Sequence, residues 1–287
     1  MPEAKIGVIG GTGLYEIEGM TDIEEASIDT PFGKPSDSLI IGKLEGTAIA
    51  FLSRHGRGHK IMPTELPNRA NIYAMKSLGV EHIIASCSAG SFKKEIEPGH
   101  LLIPDQVIDR TRLRESTFFG DGIVGHIPFA DPFCPDLSDI LYESASETGT
   151  TVHKGGTFVV MEGPAFSTRA ESRLYRSWDA DLIGMTTLPE AKLAREAEIC
   201  YAVIGCVTDY DSWWKSAEAI TVDVILNIMH HNVDTAKEII KKSVSRISEN
   251  RDCACSTALQ TAIVTSPEAI PEEQKKKLEM ILGKYLL

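Results

Sequence analysis

Short apolar-rich runs that end in small, polar or glycine-containing residues recur along this chain, and the densest case sits near its middle. Residues 157–161 lead into Glu162-Gly-Pro-Ala-Phe-Ser-Thr-Arg-Ala-Glu171, and residues 181–183 lead into Gly184-Met-Thr-Thr-Leu-Pro-Glu190. Each half then opens onto a segment with helical character, residues 167–178 and 189–198. Strand, loop and helix in that order build an α/β sheet, whose ligands gather at the carboxyl ends of the strands. A length of 287 residues with 43% hydrophobic content supports one large domain with a substantial core.

The same pattern holds upstream. Residues 5–9 read as a buried strand running into Gly10-Gly-Thr-Gly13, where missing side chains let backbone amides approach an anion. Gly7, Gly10 and Gly13, with Asp29 further on, also have the spacing of some dinucleotide-binding reductases, but no Tyr-x-x-x-Lys pair follows. Residues 38–41 and 48–52 are further strands, and the second delivers Ser53-Arg-His-Gly-Arg-Gly-His59. An Arg-His pair after a buried strand suits bidentate capture of phosphate. After a helix over residues 68–78, residues 82–85 form a strand leading into the turn Ser86-Cys-Ser-Ala-Gly-Ser91. Its hydroxyls can serve local turn chemistry, yet this is the third strand to end in anion-friendly residues, which points to a shared phosphate site.

Downstream, residues 110–136 are a connection rich in Gly, Pro, Phe and charge, expected to act as a binding lid or subunit contact. A helix follows over residues 137–148, and Thr168-Arg-Ala-Glu171 is a capping-box candidate. The apolar run 200–207 discharges into Thr208-Asp-Tyr-Asp211, placing two carboxylates at a strand end. Residues 221–247 form a long helix with Val222, Ile225, Leu226 and Met229 at helical spacing, and a charged final helix stands behind Pro271.

Composition narrows the partners. A net charge of −12 without a basic stretch argues against nucleic acid or an anionic membrane, and no apolar run approaches the roughly 20 residues that span a bilayer. Without an early cationic segment bearing an apolar core and cleavage site, the expected location is cytoplasmic. The partner is therefore a small molecule. Six cysteines lack any paired C-x-x-C zinc pattern, and no His/Cys/Asp ligand spacing stands out, so no metal is expected. They read as buried thiols or, since five Asn and three Gln give a thermophile-leaning composition, as intracellular disulfides.

Six strings in order, Gly10-Gly-Thr-Gly13, Thr30-Pro-Phe-Gly-Lys-Pro-Ser-Asp37, Arg54-His-Gly-Arg57, Ala130-Asp-Pro-Phe-Cys134, Glu162-Gly-Pro-Ala-Phe166 and Thr208-Asp-Tyr-Asp211, resemble the 5′-methylthioadenosine phosphorylases of the trimeric purine nucleoside phosphorylase superfamily. The resemblance covers residues 5–264. It implies an α/β fold, a single domain with a central mixed β-sheet flanked by helices; residues 265–287 extend past it and are expected to form a C-terminal helical extension packed on the same domain. It also implies a homotrimer or a dimer of trimers, and no cofactor beyond inorganic phosphate as co-substrate. Carried over by position, phosphate would meet Thr12, Arg54, His55, Cys87, Ser88 and Thr186. Relatives carry a hydroxyl residue where this chain has Cys87, and a thiol is the weaker donor. The base would meet Phe166, Ser167, Asp209 and Asp211, the ribose Met185, and the methylthio group Val222 and Ile225. His126 resembles a residue that reaches into a neighbouring subunit's site. Resemblance to archaeal heat-stable members further implies a bridge between Cys253 and Cys255, with Cys134, Cys200 and Cys206 also candidates for pairing.

The implied reaction is phosphorolysis of the nucleoside, with phosphate attacking the anomeric carbon and adenine leaving. Asp209 would protonate the purine and Asp211 would be the like-charged neighbour that raises its pKa. The alternative, a 6-oxopurine nucleoside phosphorylase, typically carries Glu and Asn where this chain has Ser167 and Asp209, and His where it has Val222. A silent nucleoside binder would lack Arg54 or Asp209, and both are present.

Overall fold

The first strand, β1 (Ile6–Gly10), is buried at every position, and is followed by β2 (Thr21–Ala26), β3 (Leu39–Leu44) and β4 (Thr47–Ser53). Helix α1 (Asn68–Ser77) leads to β5 (His82–Ser91), β6 (Leu101–Ile103) and β7 (Gln106–Arg110). A long irregular connection precedes α2 (Pro135–Ser146), β8 (Val152–Lys154), β9 (Thr157–Met161) and α3 (Arg169–Ser177). Then come β10 (Leu182–Gly184), α4 (Thr187–Glu196), β11 (Cys200–Tyr210), α5 (Val222–Val244), α6 (Glu272–Lys277) and α7 (Glu279–Leu282). This computed structural model describes residues 3–14, 16–215, 222–248 and 250–286, and the backbone alone for residues 222–226.

Among the described residues the strands form one mixed sheet in the order β2-β3-β4-β1-β5-β10-β9-β7, with β11 on the other edge of β5 and β6 and β8 beyond it. Residues alternate in their facing along the central strands. On β11, Tyr201, Val203 and Val207 enter a core shared with α1 and α4, while Cys200, Ala202, Ile204 and Cys206 enter one shared with α2 and α5. Burial on both faces explains why this strand is a continuous apolar run in the sequence.

The sheet forks at β5, and the fork makes room for a site. β11 runs parallel to β5 along its full length, from Cys200 opposite His82 to Tyr210 opposite Ser91. On the other edge β1 pairs only with residues 82–85, and β10 pairs antiparallel only with Gly90 and Ser91. Residues 86–89 of β5 therefore have no strand partner on that side among the described residues. Loops leaving β1 and β10 converge on the gap, at a switch in strand order of the kind where open α/β sheets bind ligands.

Two of the predicted boundaries move. The segment expected to turn at residues 86–91 continues as strand, because β11 pairs with it along its whole length, joined by β10 at Gly90 and Ser91, and this pairing overrides the turn preference of its small residues. The strand expected to stop at residue 207 runs on to Tyr210, so Asp209 lies on the strand itself. The capping box holds: Thr168 Oγ1 accepts from the Glu171 amide at 3.2 Å, and the Glu171 carboxylate accepts from the Thr168 amide at 2.8 Å. The connection before α2 packs on its own chain, burying Phe118, Phe119, Ile123 and Phe133. In the final segment Leu278, Ile281 and Leu282 are buried in that same core.

Of the two readings of the cysteines, the structure agrees with the thiols and not the disulfides. All six are free thiols, so the implied bridge between Cys253 and Cys255 is absent. The Cys253 sulfur instead lies 3.3 Å from that of Cys200, which sits at the start of β11.

Candidate active site

The gap in the sheet opens into a cavity of about 720 Å³. Its lining includes Thr12 from the loop after β1, Arg54 and His55 after β4, Cys87 and Ser88 on β5, and Met185 and Thr186 after β10. Phe166 from the loop after β9 and Asp209 and Asp211 at the end of β11 complete the predicted residues on its wall. Close approach at the β1 turn depends on glycine: a Cβ on Gly11 would come within 2.5 Å of the Ser86 carbonyl oxygen and 3.2 Å of Arg54 Nη1.

Arg54 is 1% exposed, and most of its donors are already engaged. Its Nε and Nη2 donate to the two carboxylate oxygens of Glu190 at 2.5 and 3.0 Å, and Nη1 donates to the Ser86 carbonyl at 2.7 Å. Tyr201 donates its hydroxyl to the same carboxylate at 2.8 Å. The Glu190 carboxylate outweighs the burial penalty and raises the pKa of Arg54, which fixes its charge. The bidentate edge predicted for phosphate is thus spent on Glu190, because that carboxylate is also buried and has to be neutralised. Three of the five guanidinium N–H groups are used, leaving two for a ligand.

His55 is held neutral. Burial, opposed by a hydrogen bond and reinforced by Arg54, lowers its pKa to about 4. Nδ1 lies 2.9 Å from the Ile61 carbonyl oxygen, which can only accept, so Nδ1 carries the proton and Nε2 presents a lone pair. Cys87 and Thr186 meet across the gap with Sγ and Oγ1 3.3 Å apart.

The carboxylate end is built differently. The pairing of β11 with β5 slips between Val207 and Asp209, and this bulge at Thr208 sets Asp209 opposite Gly90. A Cβ on Gly90 would lie 3.3 Å from Asp211 Cβ and 3.5 Å from Asp209 Oδ2, so the glycine leaves both carboxylates room. Asp209 accepts one side-chain hydrogen bond, from Thr208 Oγ1 at 2.7 Å. Burial raises its pKa most, the Thr208 hydroxyl opposes the rise, and the neighbouring Asp211 adds to it. Asp211 receives the Ser167 hydroxyl at 2.6 Å, and the Ser167 carbonyl accepts from Ser212 at 2.7 Å. Ser167 therefore positions Asp211 and is not itself on the cavity wall.

His126 stands apart: it is exposed, outside the cavity lining, and tied to the chain by its amide, which donates to the Ala262 carbonyl at 2.8 Å. Val222 and Ile225 fall on α5, but their side chains lie outside the described residues. Sequence reasoning missed Glu190 and Tyr201, which hold Arg54, and Arg114, which donates to the carbonyls of Glu162, Met185 and Leu188 and so braces two loops of the cavity. A buried arginine in the connection before α2 had no local signal. Glu190 had none either, since its helix also carries Lys192, Arg195 and Glu196.

Comparison with known proteins supplies the family context. Residues 5–245 match the family model described as the phosphorylase superfamily. The chain is 56% identical over 285 residues to the S-methyl-5′-thioadenosine phosphorylase of Geobacter sulfurreducens, covering 99% of this chain and all of that one. It is 51% identical to the enzyme of the same name from Thermosynechococcus vestitus, covering 99% of each. Among solved structures, a methylthioadenosine phosphorylase from an Antarctic soil metagenomic library superposes with a TM-score of 0.94 at 45% identity, over 98% of this chain and all of that one. Methylthioadenosine phosphorylase from Schistosoma mansoni in complex with adenine superposes with a TM-score of 0.81 at 35% identity, over 90% of this chain and 96% of that one.

Proposed function

The chain belongs to the S-methyl-5′-thioadenosine phosphorylases of the phosphorylase superfamily, and from that premise we infer how its cavity divides the work of phosphorolysis. Phosphate sits among Thr12, Arg54, His55, Cys87, Ser88 and Thr186. The purine sits by Phe166, Asp209 and Asp211, and the sugar lies between them on Met185. The observation that carries this reading is the arrangement along β5. Cys87 and the Gly90 position that faces Asp209 are three residues apart, about 10 Å along a strand, which suits a sugar bridging a phosphate and a base.

A phosphate oxygen forms the new bond to the anomeric carbon as the bond from that carbon to the purine nitrogen breaks. Both electrons of the broken bond enter the purine. Asp209, whose environment favours the protonated carboxyl, gives its proton to N7 and so stabilises the departing base. Bound phosphate supplies negative charge beside the cation-like sugar. Because His55 is neutral with Nε2 as acceptor, it receives a hydrogen bond from a protonated phosphate oxygen. The exposed His126 is available to complete a neighbouring subunit's cavity in a homotrimer or a dimer of trimers, and light scattering reads that assembly.

The decisive assay is a substrate panel of methylthioadenosine, methylthioinosine, adenosine and inosine, with and without phosphate. The expected result is release of adenine from methylthioadenosine that requires added phosphate. Preference for inosine, or base release independent of phosphate, contradicts the assignment.

A further inference from the structure

Far from the cavity, the fold gathers cysteines that the sequence scatters. Cys134, Cys200, Cys253 and Cys255 place their four sulfurs within 4.8 Å of one another. Cys134 and Cys200 are 66 residues apart, and Cys200 and Cys253 are 53 apart, so only the C-x-C pair shows in the sequence. Three elements meet here: Cys134 is the N-cap of α2, Cys200 opens β11, and Cys253 is the N-cap of a single turn of 3-10 helix that contains Cys255.

The sulfurs converge on one point and do not fall into two separate pairs. Every pair among the four lies within 4.8 Å, and Cys200 approaches Cys253 at 3.3 Å. A tetrahedron of sulfurs around zinc, with bonds of about 2.3 Å, has edges of about 3.8 Å, and the observed cluster needs shifts of no more than about an ångström to match it.

The ligand backbones are pinned. The Cys134 amide donates to the Tyr201 carbonyl at 2.9 Å, the Cys200 amide donates to the Glu81 carbonyl at 2.9 Å, and the Cys253 carbonyl accepts from the Ser256 hydroxyl at 3.1 Å. One source of positive potential lies at the cluster, the N-terminus of α2 at Cys134.

We propose that Cys134, Cys200, Cys253 and Cys255 form a structural zinc site. Four thiolates close the coordination sphere and leave no position for substrate, which marks a structural ion and not a catalytic one. Nine residues of β11, about 30 Å of strand, separate Cys200 from Asp209. The ion would clamp the segment from Cys253 to the last described residue, Leu286, to the start of the strand that carries the proton donor. In binding, each thiol gives up its proton to solvent and its lone pair to the cation, with no change of oxidation state.

The test uses the full chain, produced in zinc-supplemented medium and purified anaerobically without chelator. Elemental analysis should find about one zinc per chain, released stoichiometrically by a mercurial thiol reagent, and cobalt reconstitution should give the intense visible absorption of a tetrahedral thiolate complex. Cys255→Ser should lower bound zinc at least about tenfold, whereas Cys206→Ser, outside the cluster, should keep it. Should Cys255→Ser fail to fold, the zinc content and cobalt spectrum of the unaltered chain decide alone. Metal below about a tenth of an equivalent, iron in place of zinc, or the four sulfurs found as two disulfides by mass spectrometry of blocked peptides would overturn the proposal.

Discussion

Two ionisable centres, Arg54 fully buried and Asp209 partly so, share the wall of one cavity and are held in opposite ways. At Arg54 an opposite charge, itself held by a tyrosine hydroxyl, and a backbone carbonyl take three of the five donors, and the buried cation stays charged. At Asp209 there is one hydroxyl donor and a like-charged neighbour, so a similar loss of water pushes the group toward its neutral form. Burial alone therefore does not decide function. The sign and completeness of the partner set decide whether a residue is a fixed charge for an anion or a proton that can be handed over.

The largest effect should come from breaking the second centre. Asp209→Asn keeps the shape and removes the transferable proton, and should lower kcat for methylthioadenosine by about 10²- to 10⁴-fold. Because the native carboxyl is held above its ordinary pKa, wild-type kcat should be full at low pH and fall as pH rises through the raised value; the Asn variant should lack that fall. The amide can also donate to the oxygen of a 6-oxopurine, so preference for methylthioinosine relative to methylthioadenosine should rise, by about a hundredfold or more. An Asn variant with full activity toward methylthioadenosine removes Asp209 from the proton-donor role.

Breaking the first centre should act on stability as well as affinity. Arg54→Ala leaves Glu190 buried without its counter-charge, a loss of about 3–5 kcal/mol in urea unfolding. It should also raise the KM for phosphate about 10- to 100-fold through two lost donors. Adding Glu190→Gln removes the stranded charge, so the double variant should regain much of the stability and none of the phosphate affinity. If the single and double variants are equally unstable, the ion pair does not carry the cost.

Much of this contrast was legible in the sequence, though its causes were not. Arg54, His55, Asp209 and Asp211 all follow buried apolar runs, a local signal that the strand pattern exposes. Glu190 is 136 residues from Arg54, and nothing local distinguishes a buried partner from a solvated one. The Ser-Cys-Ser-Ala-Gly-Ser string has no alternation of apolar residues, so it reads as a turn until β11 pairs along it and β10 joins at its end. The Thr208 bulge and the four-sulfur cluster are likewise products of tertiary pairing.

Helix α4 offers a sharper version of the comparison, because it carries two buried glutamates six residues apart. Glu190 meets a guanidinium, whereas Glu196 meets only neutral donors, the Thr117 hydroxyl at 2.7 Å and the Phe118 amide at 2.6 Å. For Glu196 burial outweighs those hydrogen bonds and lifts the pKa to about 7. An acid whose folded value lies above its unfolded value of about 4.5 binds more protons when folded between those two limits. Stability then declines as pH rises from about 4.5 to about 7 and is flat outside that window. Glu196→Gln keeps an acceptor for Phe118 and cannot ionise, so it should gain on the wild type across that window by on the order of 2–3 kcal/mol. Urea midpoints of both proteins measured from pH 4 to 8 test this directly. Parallel curves would mean that the neutral donors around Glu196 already match what water gave it, and that a carboxylate in this helix needs no cation to stay charged.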